Sequence, residues 1–403
     1  MRSLKAVVIF LAITLAFAIP SFGAPLVNVN VSTEHFVIYD HTSNLESGNW
    51  IELSGGDSVP APTITIEYDV DSSTKTYTSS GKTISITSTK TSDTISYPIT
   101  EHMLYTAGDN VSAKFYGESG LSGTTVDFYL CPVSLSDVRS AVNNAIKGDT
   151  STFRNILNSG TVKSTTLDTN GDGNVQFNSV SAGDYVLFVT NDITNPLTDD
   201  ITVYSMTLVE VLDYDISVDA PDSVFKGNDL EVEVEVDTTN TGPYHYGAVL
   251  VKDSAYKGQI ELTSDTTKDG TDLEINSVGI VDGFDLIDLT VANAQSYIPQ
   301  MIGSGKGTIT INQNVNSNSS TISLITNDLE VGDYYLIVGV FDKSGGKKIV
   351  GMDVQSIKVI APPQPTVQEV VQPTEEEVPP AEEVTEITVA VTVTPEAPVT
   401  IDV

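Results

Sequence analysis

Apolar and polar residues alternate strictly through much of the chain. Val232, Val234 and Val236 are interleaved with Glu231, Glu233, Glu235 and Asp237; the same period governs Val126, Phe128 and Leu130, Ile64 and Ile66, and Ile84 and Ile86. A period of two sends one set of side chains inward and the other to water, so each run predicts a half-buried antiparallel strand. Clusters of Ser, Thr, Gly and Asp break the runs at short intervals, a rhythm of sandwiches rather than of βαβ folds. The predicted class is all-β, with tandem immunoglobulin-like β-sandwiches.

Two stretches change to a helical period. Ser136 can cap a helix in which Val138, Ala141, Val142, Ala145 and Ile146 share one face and which Gly148 ends; a further turn or two follows around Phe153, Ile156 and Leu157. A weaker counterpart runs from Phe284 to Ile302. These short helices are expected to plug an open edge or end of each sandwich.

The chain also repeats itself. Val180-Ser-Ala-Gly-Asp-Tyr185-Val-Leu-Phe-Val returns as Leu329-Glu-Val-Gly-Asp-Tyr334-Tyr-Leu-Ile-Val, and Ala107-Gly-Asp-Asn-Val111 returns more loosely as Lys226-Gly-Asn-Asp-Leu230. In both copies the Gly-Asp-Tyr run leads into a strand apolar on both faces, which requires cover on both sides. A tyrosine at that place also matches the tyrosine corner of immunoglobulin-like sandwiches. The expected organisation is an N-terminal β domain over residues 24–98, a first sandwich over 99–211 and a second over 212–360.

Both ends read differently. Arg2 and Lys5 precede an apolar run from Ala6 to Ile19, Pro20 breaks it, and Ser21-Phe22-Gly23 supplies small residues at a cleavage site. That is the pattern of a secretory signal peptide over residues 1–23, and the run is shorter than the roughly 18 residues a membrane span needs. The mature chain is therefore expected outside the cell, secreted or surface-associated, with no transmembrane helix. Residues 361–403 hold eight of the eighteen prolines and no Lys or Arg. Proline there prevents helix and ladder formation while the glutamates repel one another, which predicts a disordered Pro/Glu/Thr-rich stalk or tail.

Charge narrows the function. The 403 residues carry 19 Lys and Arg against 54 Asp and Glu, a formal charge of -35. Such a surface repels phosphate backbones, so nucleic acid is not an expected partner. One cysteine, Cys131, makes no internal disulfide, and four histidines leave little for a zinc site. Two stretches imitate catalytic motifs. Gly303-Ser-Gly-Lys306-Gly-Thr308 resembles a phosphate loop, but Ile309 and Ile311 continue it as a strand where a helix is needed. Gly56-Asp57-Ser58 resembles a serine-esterase block, and no histidine follows at the place a triad needs. No enzyme activity and no cofactor are expected, apart from a weakly bound calcium.

The calcium candidate is Asp168-Thr-Asn170-Gly-Asp172-Gly-Asn174-Val-Gln176. Oxygen-bearing side chains at every second position, with glycines between, let a loop curl Asp168, Asn170, Asp172 and Asn174 around one hard cation. The bidentate acid of a calcium loop is replaced by Ser179. The alternative is a hairpin, since Asn-Gly and Asp-Gly are turn signals between alternating flanks. The row Glu231, Glu233, Glu235 and Asp237 reads as a solvated acidic face, and Trp50 as a core anchor. Export also makes the sequons at Asn30, Asn110 and Asn318 candidates for glycosylation.

The succession YTAGDNVSAKFYG, LSGTTVDFYL, FRNILNSG, TTLDTNGDGNVQF and SAGDYVLFVT resembles the extracellular domain found in surface proteins of methanogenic archaea, over roughly Tyr97 to Asp213. The resemblance implies a secreted or envelope-displayed protein with no established activity. Two roles follow: a structural or adhesion protein partnered by envelope or S-layer proteins, or a module that binds extracellular glycans or another polymer with or without calcium.

Overall fold

A computed structural model describes residues 27–31, 33–38, 49–69, 75–79, 82–88, 92–97, 101–133, 137, 140–141, 144, 149–265, 272–279, 304–342 and 348–363. The signal peptide expected over 1–23, most of the stalk expected over 361–403, the helix expected over 284–302 and much of the one expected over 136–148 lie outside the described residues. Of the latter, Asp137, Ser140, Ala141 and Asn144 are helical.

The alternating runs are strands, and the fold is all-β. In the first sandwich the larger layer follows the order Thr161–Thr166, Thr125–Pro132, Gly183–Asn191, Ile201–Leu212, and continues into Glu34–Ile38, Val27–Val31, Lys82–Ser88 and Lys75–Ser79. The facing layer is Gly173–Phe177, Val111–Tyr116 and Trp50–Ser54. The second sandwich opposes Ser223–Phe225, Lys348–Ile360, Gly332–Asp342, Tyr244–Lys252 and Gly307–Val315 to Ile216–Asp219, Leu230–Val236 and Ser319–Leu324. A further sheet joins Asp272–Gly279, Lys257–Asp265, Thr63–Asp69 and Ser92–Tyr97.

Residues 24–98 do not pair only among themselves. Asp57–Pro60 pairs with Glu101–Thr106 across the boundary expected at residue 98. Glu34–Ile38 runs parallel to Ile201–Leu212, and Thr63–Asp69 runs parallel to Lys257–Asp265. Strands with free edges accept partners from anywhere in the chain, and alternation says nothing about which.

The repeat is structural. Tyr185 donates its hydroxyl to the Ser181 carbonyl at 2.8 Å, and Tyr334 donates to the Glu330 carbonyl at 2.7 Å, each four residues back. Both sandwiches thus close the same tyrosine corner. Gly108 and Gly227 hold matching left-handed turns, with φ of 104° and 100°. Asp109 N–H reaches back to the Thr106 carbonyl as Asn228 N–H does to Phe225. A side chain at either glycine would strain the turn, which explains why Gly returns there while its neighbours change.

Strands Gly183–Asn191 and Ile201–Leu212 carry apolar residues on both faces, and both faces are covered. Leu187, Val189, Val209 and Val211 point between the layers onto Phe115, Val111 and Phe177. Val186, Phe188, Met206 and Leu208 point outward, where Phe153, Ile156 and Leu157 of the helix Ser151–Ser159 cover them. Phe153 meets Phe188 edge to face at 5.6 Å. The helix therefore covers a sheet face rather than plugging an edge, because an exposed apolar face loses more on hydration than an edge of polar residues. Its position is fixed by a buried ion pair. Arg154 Nε lies 2.7 Å from Glu34 Oε1, and Thr150 donates its hydroxyl to the same oxygen. Arg154 also donates to the Pro196 and Asp199 carbonyls, so neither charge is buried unsatisfied.

Beyond the helix the same outer face meets the second sandwich. Val59, Leu104 and Leu212 pack against Phe341, Ile349, Met352 and Val354. Tyr214 N–H donates to the Val350 carbonyl at 2.8 Å, and Tyr256 donates its hydroxyl to the Pro60 carbonyl.

Leu157, on the inner face of the helix Ser151–Ser159, is fully buried. Replacing it with alanine leaves a cavity in a layer that cannot collapse onto the sheet, and we expect Leu157→Ala to lower unfolding free energy by about 2–5 kcal/mol. Urea denaturation measures this; a change below about 1 kcal/mol would show that the helix is not needed as cover.

Candidate functional site

The three-stranded layer of the first sandwich leaves its outer face open. Alternation buries Ile51, Ala113, Phe115 and Phe177 and turns Trp50, Glu52, Ser112, Lys114, Tyr116, Asn174 and Gln176 the other way. Register then builds the surface. Trp50 stands opposite Tyr116, and Glu52, Lys114 and Asn174 form a row across the three strands. Tyr116 donates its hydroxyl to Glu52 Oε2 at 2.5 Å, and the Lys114 ammonium sits 3.8 Å from the Tyr116 ring centre. The Tyr116 hydroxyl, followed by the carboxylates of Asp172 and Glu52, holds the Lys114 ammonium above its usual value. The rings of Trp50 and Tyr116 thus share one face with the hydrogen-bonded Tyr116–Glu52 pair and the Lys114 ammonium. Trp50 is half-buried rather than a core anchor. Sequence reasoning passed over Tyr116; the available signal was its place, with Lys114, on the polar phase of the alternation.

The calcium candidate borders this face. Asp168 Oδ1 accepts from the Asn170 and Asp172 amides at 2.8 and 3.0 Å, and these bonds hold its carboxyl below the ordinary value. Burial, and then the charge of Asp168, push Asp172 up. The structure thus brings Asp168 and Asp172 together in one turn, while Asn174 lies on the strand beside Lys114. The flanking strands do not form a hairpin: Thr161–Thr166 pairs in the large layer and Gly173–Phe177 in the small one. The loop is a corner between sheets. Among the described residues no three His, Cys, Asp or Glu side chains converge as a metal site.

The sequon residues sit in three settings. Asn110 is exposed, with its Oδ1 accepting from the Ser179 amide at 3.1 Å. Asn318 is half-buried in a turn and its carbonyl accepts from Val236 N–H. Asn30 is half-buried within the strand Val27–Val31, opposite His35. The acidic row lies outward on Leu230–Val236, where every alternate residue is exposed.

A cleft of about 150 Å³ opens where the sandwiches meet, lined by Asp57, Ser58, Leu104, Tyr105, Thr106, Tyr214, Asp215 and Asp353 among others. Two of its three carboxylates are engaged: Thr106 donates to Asp215, and Asp353 accepts from Gln355 Nε2 and the Val354 amide. Ser58 donates to Glu101 at 2.8 Å. His102 is paired with Val59, one residue along, so it projects to the face opposite Ser58 and the two do not form a nucleophile–base pair. Burial lowers His102 to about 4, which keeps the ring neutral. The phosphate-loop imitation turns at Gly305 and enters the strand Gly307–Val315.

Glu210 lies on the sheet face that meets the second sandwich, opposite Leu104 and Asp184. It is 4% exposed, and its Oε2 has no hydrogen-bond partner. Desolvation, helped by the charge of Asp184, pushes its carboxyl up to about 8.

No protein-family model matches the chain, and no curated protein matches it. Among solved structures, a marsupial T cell receptor is similar at 9% identity, over 65% of this chain and 71% of that one, with a TM-score of 0.19. The class of protein is defined by its own sheets: an all-β chain of two-layer sandwiches with tyrosine corners.

Glu210 gives a pH dependence of known sign. Between 4.5, the ordinary glutamate value, and about 8, the folded chain keeps a proton that the unfolded chain has released. The contribution is fully present below 4.5 and is lost as pH rises through 8. We expect Glu210→Gln to melt several degrees above the parent chain at pH 9 and within about a degree of it at pH 5. An equal difference at both pH values contradicts the assignment.

Proposed function

We propose that the protein is a non-enzymatic structural or adhesion component of the cell envelope, displayed outside the cell and partnered by envelope or S-layer proteins. The observation that carries this reading is the repeated sandwich. Two copies of one corner geometry meet through an apolar face, and sandwiches so joined make a stiff spacer rather than a catalytic cleft. The leader-like residues 1–23, the Pro/Glu-rich stretch from 361 and the resemblance to methanogen surface domains support the same reading. Fractionation of native cells tests it: the protein is expected with the envelope or the medium, and its recovery from cytosol with residues 1–23 intact overturns the proposal.

A second reading, a glycan- or polymer-binding module, is favoured by the Trp50–Tyr116 face. The turn Asp168–Asp172 at its border would then hold calcium weakly through the carboxylates of Asp168 and Asp172 and the amide oxygen of Asn170, with Asn174 on the adjoining strand. A glycan array with the full chain separates the readings, and Tyr116→Ala supplies the control because its ring lies outside the core. Selective binding that drops at least tenfold in Tyr116→Ala establishes the second reading, and the absence of binding leaves the structural one. Calcium is read separately by thermal unfolding of metal-stripped protein. The structural reading predicts an unmoved midpoint at millimolar calcium; a rise of several degrees, abolished in Asp168→Asn, supports the loop as a site.

A further inference from the structure

The two sandwiches differ at one matching edge. Thr161–Thr166 is the outermost strand of the first large layer, beside Thr125–Pro132, as Gly307–Val315 is of the second, beside Tyr244–Lys252. In each sandwich the chain then enters the small layer, through Gly173–Phe177 and through Ser319–Leu324. The second edge is closed. Thr310 donates its hydroxyl to the Ser323 carbonyl at 2.8 Å and Asn312 its amide to the Thr321 carbonyl at 2.7 Å, which ties layer to layer. Only Gln313 and Asn314 of that strand are exposed. The first edge stands out in solvent: Thr161, Val162, Lys163, Ser164 and Thr166 are exposed, and Thr165 alone is partly covered. Its ladder to Thr125–Pro132 engages one side of the strand, and no described strand pairs with the other. Alternate amides and carbonyls on that side face water, an open place for one more strand.

The residues of this edge say which strand fits. Thr161–Thr166 holds one lysine and no carboxylate in a chain of net charge -35, so two copies can meet here without setting acids face to face. Its threonines and Val162 are β-branched and pair well across antiparallel strands. Two-fold symmetry restricts the register. An axis normal to the sheet keeps every residue on its own face, so a residue meets either itself or one an even number of places away. Centring on Lys163 would set two ammonium groups directly opposite, which is destabilising. Centring on Ser164 sets Val162 against Thr166, Lys163 against Thr165 and Ser164 against itself, with no like charges opposed. Any other centre shortens the overlap.

We propose that a second copy of this chain pairs antiparallel with Thr161–Thr166 through its own Thr161–Thr166, centred on Ser164, and joins the two large layers into one continuous sheet. Because the axis is normal to the sheet, both small layers lie on the same side, and the two Trp50–Tyr116 faces look the same way. The pairing rests on neither functional reading above.

Sedimentation velocity of the full chain from about 1 to about 300 μM provides the test, and a monomer–dimer equilibrium with its midpoint in that range is expected. The dimer fraction should rise several-fold between about 0.02 and about 0.5 M salt, because salt screens the repulsion between copies and no ion pair holds the contact. Val162→Glu with Thr166→Glu opposes carboxylates at two points and should abolish the dimer. Val162→Lys with Thr166→Lys should do the same, and an equal mixture of the two variants should recover it. Both side chains are exposed, so the replacements spare the fold. Separate copies leave the strand an open, fast-exchanging edge; on dimerisation its amides should slow by about tenfold or more while those of Gly307–Val315 keep their rates. A single species of monomer mass throughout the concentration range overturns the pairing. A dimer that survives the glutamate variant, or a loss that mixing does not recover, overturns it as well.

Discussion

The structure depends on covering both faces of one strand pair. Residues Ser205 to Leu212 are all buried, on a strand whose neighbour Gly183–Asn191 is apolar on both sides from Val186 to Val189. At about 25 cal/mol per Å² of apolar surface, no two-layer sandwich could leave the outer face wet. The inner face is met by the small sheet, the outer face by the helix Ser151–Ser159, and its far end by the second sandwich. Helix, ion pair and inter-sandwich contact are consequences of that demand.

Glu210 shows how strictly the cover is applied. The second sandwich closes over Leu104 and Leu212, and the carboxyl between them loses water along with its neighbours. A protonated acid is tolerated there, since a neutral group is far less costly to desolvate than a charged one. Burial of the outer face and the altered carboxyl have one cause.

Much of this was legible in the residues. Alternation at Val232, Val234 and Val236 placed both faces of that strand, and the returning Gly-Asp-Tyr run located both tyrosine corners, because each signal is local. Partner choice was not legible. The flanks of Asp168–Asn174 look like a hairpin, yet the two strands enter different layers, and residues 24–98 lend strands to sheets far along the sequence. Glu210 in Thr-Leu-Val-Glu-Val-Leu looks like an ordinary outward position; only Met352 and Val354, more than a hundred residues on, make that face an interior. Trp50 and Tyr116 likewise become neighbours through register, 66 residues apart in the chain.

Native-state amide hydrogen exchange tests the central claim most directly. If the doubly covered strand pair is the core on which the rest is laid, amides of residues 186–189 and 205–211 exchange only through global unfolding and track its free energy across denaturant. The edge strand Thr161–Thr166, exposed along most of its length, should exchange by local opening several orders of magnitude faster. Exchange of the central pair at rates like those of that edge, with little dependence on denaturant, would contradict the account.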